Sequence, residues 1–164
     1  NQSLKGIMSD LSIARAIHIL SVVIWMGGVS FVTLILIPIL RRSSFQTDQL
    51  TIFNAIENRF ASLARVMVLL AGISGLYMTY KLDAWSRFSQ LEHFWMHAMV
   101  LVWLLFMLAL FFVEPIMAQR QGKHSQDPKR SLGRTLILHT LLLTVSLATI
   151  FVAVLGAHGI FYSL

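Results

Sequence analysis

The chain has 164 residues, of which 57% are apolar and only 12% are charged, and it contains no cysteine. Soluble domains carry about 25% charged residues, and a core of this size cannot hide so much apolar surface, which argues against a water-soluble enzyme. Without cysteine, iron–sulfur clusters, thiolate-bound haem and disulfide frameworks are excluded. The net charge of +6 does not indicate nucleic-acid binding, because the basic residues lie between apolar runs, as in membrane-protein loops.

Four long apolar runs predict four membrane-spanning helices, because about 20 apolar residues cross a bilayer as a helix and no run alternates like a barrel strand. The predicted spans are residues 11–40, 60–80, 91–118 and 131–163. Between them, residues 41–59 are expected to form an amphipathic lead-in to span two, and residues 119–133 a solvated loop. The predicted fold is therefore all-α: a single domain, residues 1–164, that forms a mostly antiparallel integral membrane four-helix bundle.

The distribution of Lys and Arg predicts the orientation of this bundle. Four spans place both termini and the 81–90 loop on one side, with the basic residues Lys5, Arg15, Lys81 and Arg87. The opposite side carries Arg41, Arg42, Arg59, Arg120, Lys123, Lys129, Arg130 and Arg134. Because basic residues concentrate in cytoplasmic loops, the second side is expected to face the cytoplasm. Both termini are then non-cytoplasmic, and periplasmic if the protein lies in a bacterial inner membrane.

Three histidines are predicted to lie at one depth in the outer leaflet. With a rise of 1.5 Å per residue, His18, His97 and His158 lie about 10, 9 and 8 Å from the outer ends of spans one, three and four. Ionisable residues inside a bilayer are usually functional, and neutral imidazole binds haem iron, copper and zinc. The three together predict a metal or haem site, although each one alone is as well explained by hydrogen-bonded packing.

Flat and small residues near these histidines offer contact surface and space for a porphyrin. Trp25 and Gly28 recur on the helical face of His18, and Gly75 lies in the outer half of span two. Trp25 is expected to pack on the macrocycle, and the two glycines to leave room for it. Small residues in membrane helices are also commonly packing notches, and that alternative is left open.

A second polar cluster is expected in the inner leaflet. Arg65 and Glu114 lie in the inner halves of spans two and three, and His139 lies about 12 Å from the cytoplasmic end of span four. We expect Arg65 to pair with Glu114, with His139 nearby. This cluster is either a structural ion pair, a proton path or a site for an acidic headgroup.

Three sequence elements follow one another on consecutive spans. In span one, His18 is followed seven residues later by Trp25 and then by the pair Gly27-Gly28. The acid–x–Arg element Glu57-Asn-Arg59 opens span two, and Trp95-Met-His97 opens span three.

In this order, the three elements resemble the signatures of the HemJ-type protoporphyrinogen IX oxidases and, more loosely, of the CopD-type copper-resistance membrane domains. The resemblance covers roughly residues 11–118. It implies a four-helix membrane protein that carries b-type haem, with His18 and His97 as axial ligands. His158 is not covered by the resemblance, and its depth alone makes it the expected substitute ligand or a nearby hydrogen-bond partner. Where those oxidases usually have a Lys two residues after the span-three His, this chain has Met99.

The expected function is redox or electron transfer by this haem, between a quinone, a porphyrinogen or a partner cytochrome. Three alternatives stay open: a protoporphyrinogen IX oxidase proper, a CopD-like protein that handles copper, and a small accessory subunit of a respiratory membrane complex. Whether the chain turns over a substrate is left undecided, as is its assembly into a homo-oligomer or a larger membrane complex. The bilayer is its expected surrounding, and no nucleic-acid partner is expected.

Overall fold

The structure is a computed structural model that describes residues 2–42, 47–116 and 128–160. Most of the solvated loop expected at residues 119–133, with its basic residues Arg120 and Lys123, lies outside the described residues. Residues 128–133 belong to a helix instead of a loop.

Four long helices dominate the described part of the chain, which contains no strand. They are α1 (Gln2–Phe31), α2 (Thr47–Lys81), α3 (Phe94–Leu108) and α4 (Pro128–Ala157). Helix α1 continues through a π-helical turn (Val32–Leu36) into a short α-helical segment (Ile37–Arg42), and α3 continues into a second π-helical turn (Ala109–Val113). Two short 3₁₀ helices, Ala84–Ser89 and Leu91–His93, connect α2 to α3.

Four helical stretches of the described chain are long and apolar enough to cross a membrane. They cover Met8–Leu40, Ala55–Lys81, Leu91–Ile116 and Thr135–Ala157. Large apolar side chains such as Ile73, Leu101 and Leu141 lie exposed on their outer faces. Since lipid is the environment in which such surfaces are stable, the chain is a multi-pass membrane protein whose outer faces contact the bilayer.

Both π-helical turns are explained by the prolines that follow them. A proline has no N–H, and its ring clashes with the carbonyl four residues earlier. A π-helical turn uses bonds five residues apart and so widens the helix before the proline: the N–H of Ile37 bonds to the carbonyl of Val32, ahead of Pro38. The second turn, ahead of Pro115, is built in the same way.

Neighbouring helices are held together by aromatic rings seated on glycines. Phe60 of α2 lies on Gly28 of α1, Trp103 of α3 lies on Gly72 of α2, and Trp95 of α3 lies on Gly156 of α4. A Cβ atom at Gly72 would lie 2.6 Å from the Trp103 ring, closer than side chains tolerate. Gly28, which the sequence offered as room for a porphyrin, is therefore filled by the protein's own Phe60.

The bundle is closed at its centre by the rings of Trp25 and Phe106. They meet edge to face with centroids 4.5 Å apart and join α1 to α3 across the core. The buried core around them takes residues from all four helices, including Val68 and Leu143. Helix α1 packs against α2 and α4, and α3 packs against the same two helices, so α1 and α3 occupy opposite corners.

We predict opposite effects of alanine at the adjacent positions Gly28 and Gly27. Gly28→Ala forces the Phe60 ring out of its seat and should lower stability by about 1–3 kcal/mol. Nothing lies within 4 Å of a Cβ at Gly27, so Gly27→Ala should be neutral or stabilise the helix by up to ~1 kcal/mol. Thermal unfolding of both variants in detergent measures the difference, and equal midpoints would contradict the seating of Phe60.

Candidate functional site

His18 is fixed by a hydrogen bond to the backbone of a neighbouring helix. Its Nδ1 lies 2.8 Å from the carbonyl oxygen of Ala71 and 3.3 Å from Oγ of Ser74, both on α2. A carbonyl only accepts, so the Nδ1–H of His18 donates to it. When a histidine binds a metal through Nε2, its Nδ1–H is usually held in this way by a neighbouring acceptor.

Small buried side chains surround this imidazole. On α1, Ala14 and Ser21 lie one turn to either side of His18, and on α2 Ala71 and Ser74 face it; all four are buried. A Cβ at Gly75 would lie 3.4 Å from Cε1 of His18, an ordinary contact distance. Gly75 therefore borders the imidazole of His18, and the side chains packed around that ring are small.

Trp25 is the other predicted site residue that points into the core. Its side chain is 4% exposed and packs on Phe106. Among the described residues, its indole N–H has no hydrogen-bond acceptor. A buried donor left without a partner costs about 1–3 kcal/mol, and an acceptor on a bound group would relieve that cost.

His97 and His158 lie on exposed surfaces at the end of the bundle where α3 begins and α4 ends. The ring of His97 meets Phe88 edge to face at 5.3 Å, outside the core. His158 donates from Nδ1 to the carbonyl of Val154 on its own helix, at 2.8 Å. Of His18, His97 and His158, only His18 has its imidazole turned toward a neighbouring helix by the described contacts.

Within the described ranges, no three His, Asp or Glu side chains are grouped closely enough to hold a metal ion. A tetrahedral site of the zinc type, made of several such side chains, is therefore not formed there. A haem needs only one or two axial ligands from the protein, and the donor chemistry at His18 fits that smaller requirement.

The opposite half of the bundle contains an ion pair between α2 and the residue that follows the second π-helical turn. Nη2 of Arg65 lies 3.2 Å from Oε2 of Glu114. That oxygen has no hydrogen bond of good geometry, so the contact is electrostatic more than directional. Glu57, one further carboxylate, lies close enough to Glu114 for the two charges to repel. Glu57 belongs to the acid–x–Arg element that opens span two, and its proximity to Glu114 was not predicted.

A second contact of Arg65 follows from Pro115. In the π-helical turn, the N–H of Glu114 bonds to the carbonyl of Ala109, and the next carbonyl, that of Leu110, would need an N–H from Pro115. Proline has none, and Nε of Arg65 donates to Leu110 instead, at 3.1 Å. Arg65 thus satisfies a backbone acceptor that lipid could not.

His139 makes its described hydrogen bond within its own helix. Its Nδ1 donates to the carbonyl of Thr135, 3.0 Å away. No described contact joins it to Arg65 or Glu114. The expected ion pair is therefore present, while His139 is not placed in contact with it.

Three residues that fix His18 or the packing of the helices were not predicted from the sequence. Ser74 borders His18, Phe60 fills Gly28, and Trp103 donates from its indole nitrogen to the carbonyl of Val68 at 2.9 Å. The signal for the last was present, because a buried Trp needs an acceptor. Which backbone carbonyl would supply it depends on the helix register.

The chain was compared with models of protein families, with curated proteins and with solved structures, and nothing matches.

We predict that Arg65 and Glu114 are energetically coupled. Arg65→Leu leaves Glu114 unpaired and the Leu110 carbonyl unsatisfied, and should destabilise the protein by about 1–3 kcal/mol. Arg65→Leu combined with Glu114→Leu should be more stable than Arg65→Leu alone, because no lone carboxylate remains. Chemical unfolding of the wild type, both single variants and the double variant measures this coupling, and strict additivity would refute it.

Proposed function

We propose that this protein binds haem b in the outer half of its bundle and acts in redox or electron transfer. The observation that carries the proposal is the imidazole of His18, turned into the core with its Nδ1–H fixed on the Ala71 carbonyl. The partnerless indole N–H of Trp25 and the small side chains around His18 support a bound group in the same region. The resemblance to the HemJ-type proteins points to the same cofactor.

The residues of the chain have separate tasks in this proposal. His18 would hold the iron through Nε2, while Ala71 and Ser74 keep the ring in one orientation and one tautomer. When bound, the haem would supply one-electron chemistry by alternating between its ferric and ferrous forms. The apolar helices would exclude water from a bound haem and so, together with the ligating residues, would tune its potential.

The sequence predicts His97 or His158 as a second haem ligand, yet both lie on exposed surfaces. Each would have to turn toward the core to reach a group held by His18.

We propose a bacterial inner membrane as the location, with an antiparallel bundle and both termini on the periplasmic side. The contacts between helices support this topology: along α1 and α2, His18 meets Ala71 and Gly28 meets Phe60, so residue numbers rise on one helix as they fall on the other. The excess of Lys and Arg in the 41–59 and 119–134 segments supports the orientation.

Cysteine labelling tests this orientation directly, because the chain has no cysteine of its own. A membrane-impermeant maleimide should label Ser89→Cys in intact spheroplasts, since Ser89 is exposed in the connection between α2 and α3. Ser125→Cys should react only after the membrane is opened. Labelling of the two positions in the reverse order would invert the proposed topology.

Optical spectra of the detergent-purified protein test haem binding. We expect sharp bands of low-spin b-type haem after reduction, and His18→Ala should lose them together with at least 90% of the bound haem. His139→Ala is the control, since it removes an imidazole in the inner half and should keep the bands.

Three other results would each change the assignment. Loss of haem in His139→Ala but not in His18→Ala would place the haem in the inner half of the bundle and contradict the proposed site. Bound copper without a Soret band would favour the CopD-like alternative. Absence of both, with co-purification of a larger respiratory complex and no effect of the histidine substitutions, would favour an accessory subunit.

A further inference from the structure

The direction of each side chain on α3 follows from its two seated tryptophans. Trp95 lies on Gly156 of α4, and Trp103 lies on Gly72 of α2. At 3.6 residues per turn, these positions are separated by roughly 80° around α3. Met99 stands midway between them in sequence, so it points between α2 and α4, toward the centre of the bundle.

The position of Phe106 gives independent evidence that Met99 points toward the bundle centre. It lies seven residues after Met99, roughly 20° away around the helix. Phe106 is buried and its ring touches Trp25 of α1 at the centre of the core. Met99, which is half-buried, is therefore the residue on this face two turns nearer the outer surface.

His97 points the other way. It lies two residues before Met99, which is a rotation of roughly 160° around α3. Its side chain therefore faces away from the bundle centre that Trp95 and Trp103 define. This agrees with its exposure and with its contact to Phe88, outside the core.

The depth of Met99 matches that of His18. Helix α1 is antiparallel to α2, because residue numbers that rise along α1 fall along α2. Helix α3 is also antiparallel to α2, because Arg65 of α2 meets Leu110 whereas Val68 meets Trp103. Helices α1 and α3 therefore run in the same direction. The ring contact of Trp25 and Phe106 places these two residues at one level. His18 precedes Trp25 by seven residues, and Met99 precedes Phe106 by seven.

We propose that Met99 supplies the second axial ligand, opposite His18. Its thioether is an established partner of histidine in haem proteins, and its flexible chain can adjust to the distance across the core. This inference rests on the haem binding proposed above and replaces His97, which the resemblance implied, with a residue on the inner face.

Substitution of Met99 tests the assignment by ligand state and not by activity. Met99→Leu keeps the size and apolarity of the side chain but removes the sulfur. We expect this variant to keep the wild-type haem content through His18 and to lose the low-spin spectrum. The open position should then bind carbon monoxide in the ferrous protein, with an occupancy at least tenfold above that of the wild type.

Met99→His provides a gain-of-ligand arm. Imidazole in place of the thioether should restore the low-spin spectrum and lower the midpoint potential, because a methionine ligand raises the potential of a haem. Met107→Leu is the matched control: it removes a thioether from the same helix two turns deeper and should change neither spectrum nor ligand binding.

The outcomes separate this proposal from the one on which it rests. If Met99→Leu keeps its low-spin spectrum while His97→Ala or His158→Ala opens the iron to carbon monoxide, Met99 is not the ligand, although haem binding stands. If the wild-type protein carries no haem, or His18→Ala keeps it, both proposals fall. Size-exclusion profiles equal to that of the wild type show that each variant is folded.

Discussion

The seating of aromatic rings on glycines is the constraint on which the rest of this bundle depends. In lipid, the apolar faces of helices gain nothing by leaving water, so association depends on close packing. Phe60 on Gly28, Trp103 on Gly72 and Trp95 on Gly156 provide that packing at three helix pairs. Each seat fixes both the rotation and the height of a helix, and the direction of every other side chain follows.

Polar groups in the bundle are satisfied mainly by backbone carbonyls. His18 donates to Ala71, Trp103 to Val68 and Arg65 to Leu110. The first two of these carbonyls lie within regular α-helix and accept a further bond, while Leu110 is available because Pro115 has no N–H to give. A bilayer offers no water for such donors, so each bond also fixes the register between two helices.

The number and approximate limits of the spans could be predicted from the sequence because hydropathy and length decide them, as 11–40 and 60–80 show against Met8–Leu40 and Ala55–Lys81. The side-chain directions could not. Depth depends only on counting residues, and it placed His18 and His97 close together. Rotation depends on which residue of each helix faces its neighbours, and a single residue of shift turns a side chain by about 100°. This is why Gly28 was assigned to a porphyrin and is filled by Phe60.

The Trp25–Phe106 pair divides the bundle into two chemically different halves. On one side lie His18, Ser74 and Gly75, small or polar and clustered at one level. On the other side lie the Arg65–Glu114 pair and the wide turn before Pro115. Two buried rings in edge-to-face contact close the direct route between the halves. Under the proposed function, a small ligand would therefore reach a group at His18 from its own end of the bundle or from lipid between the helices. The charges of the other half would act on that group only from a distance, through a medium of low dielectric constant.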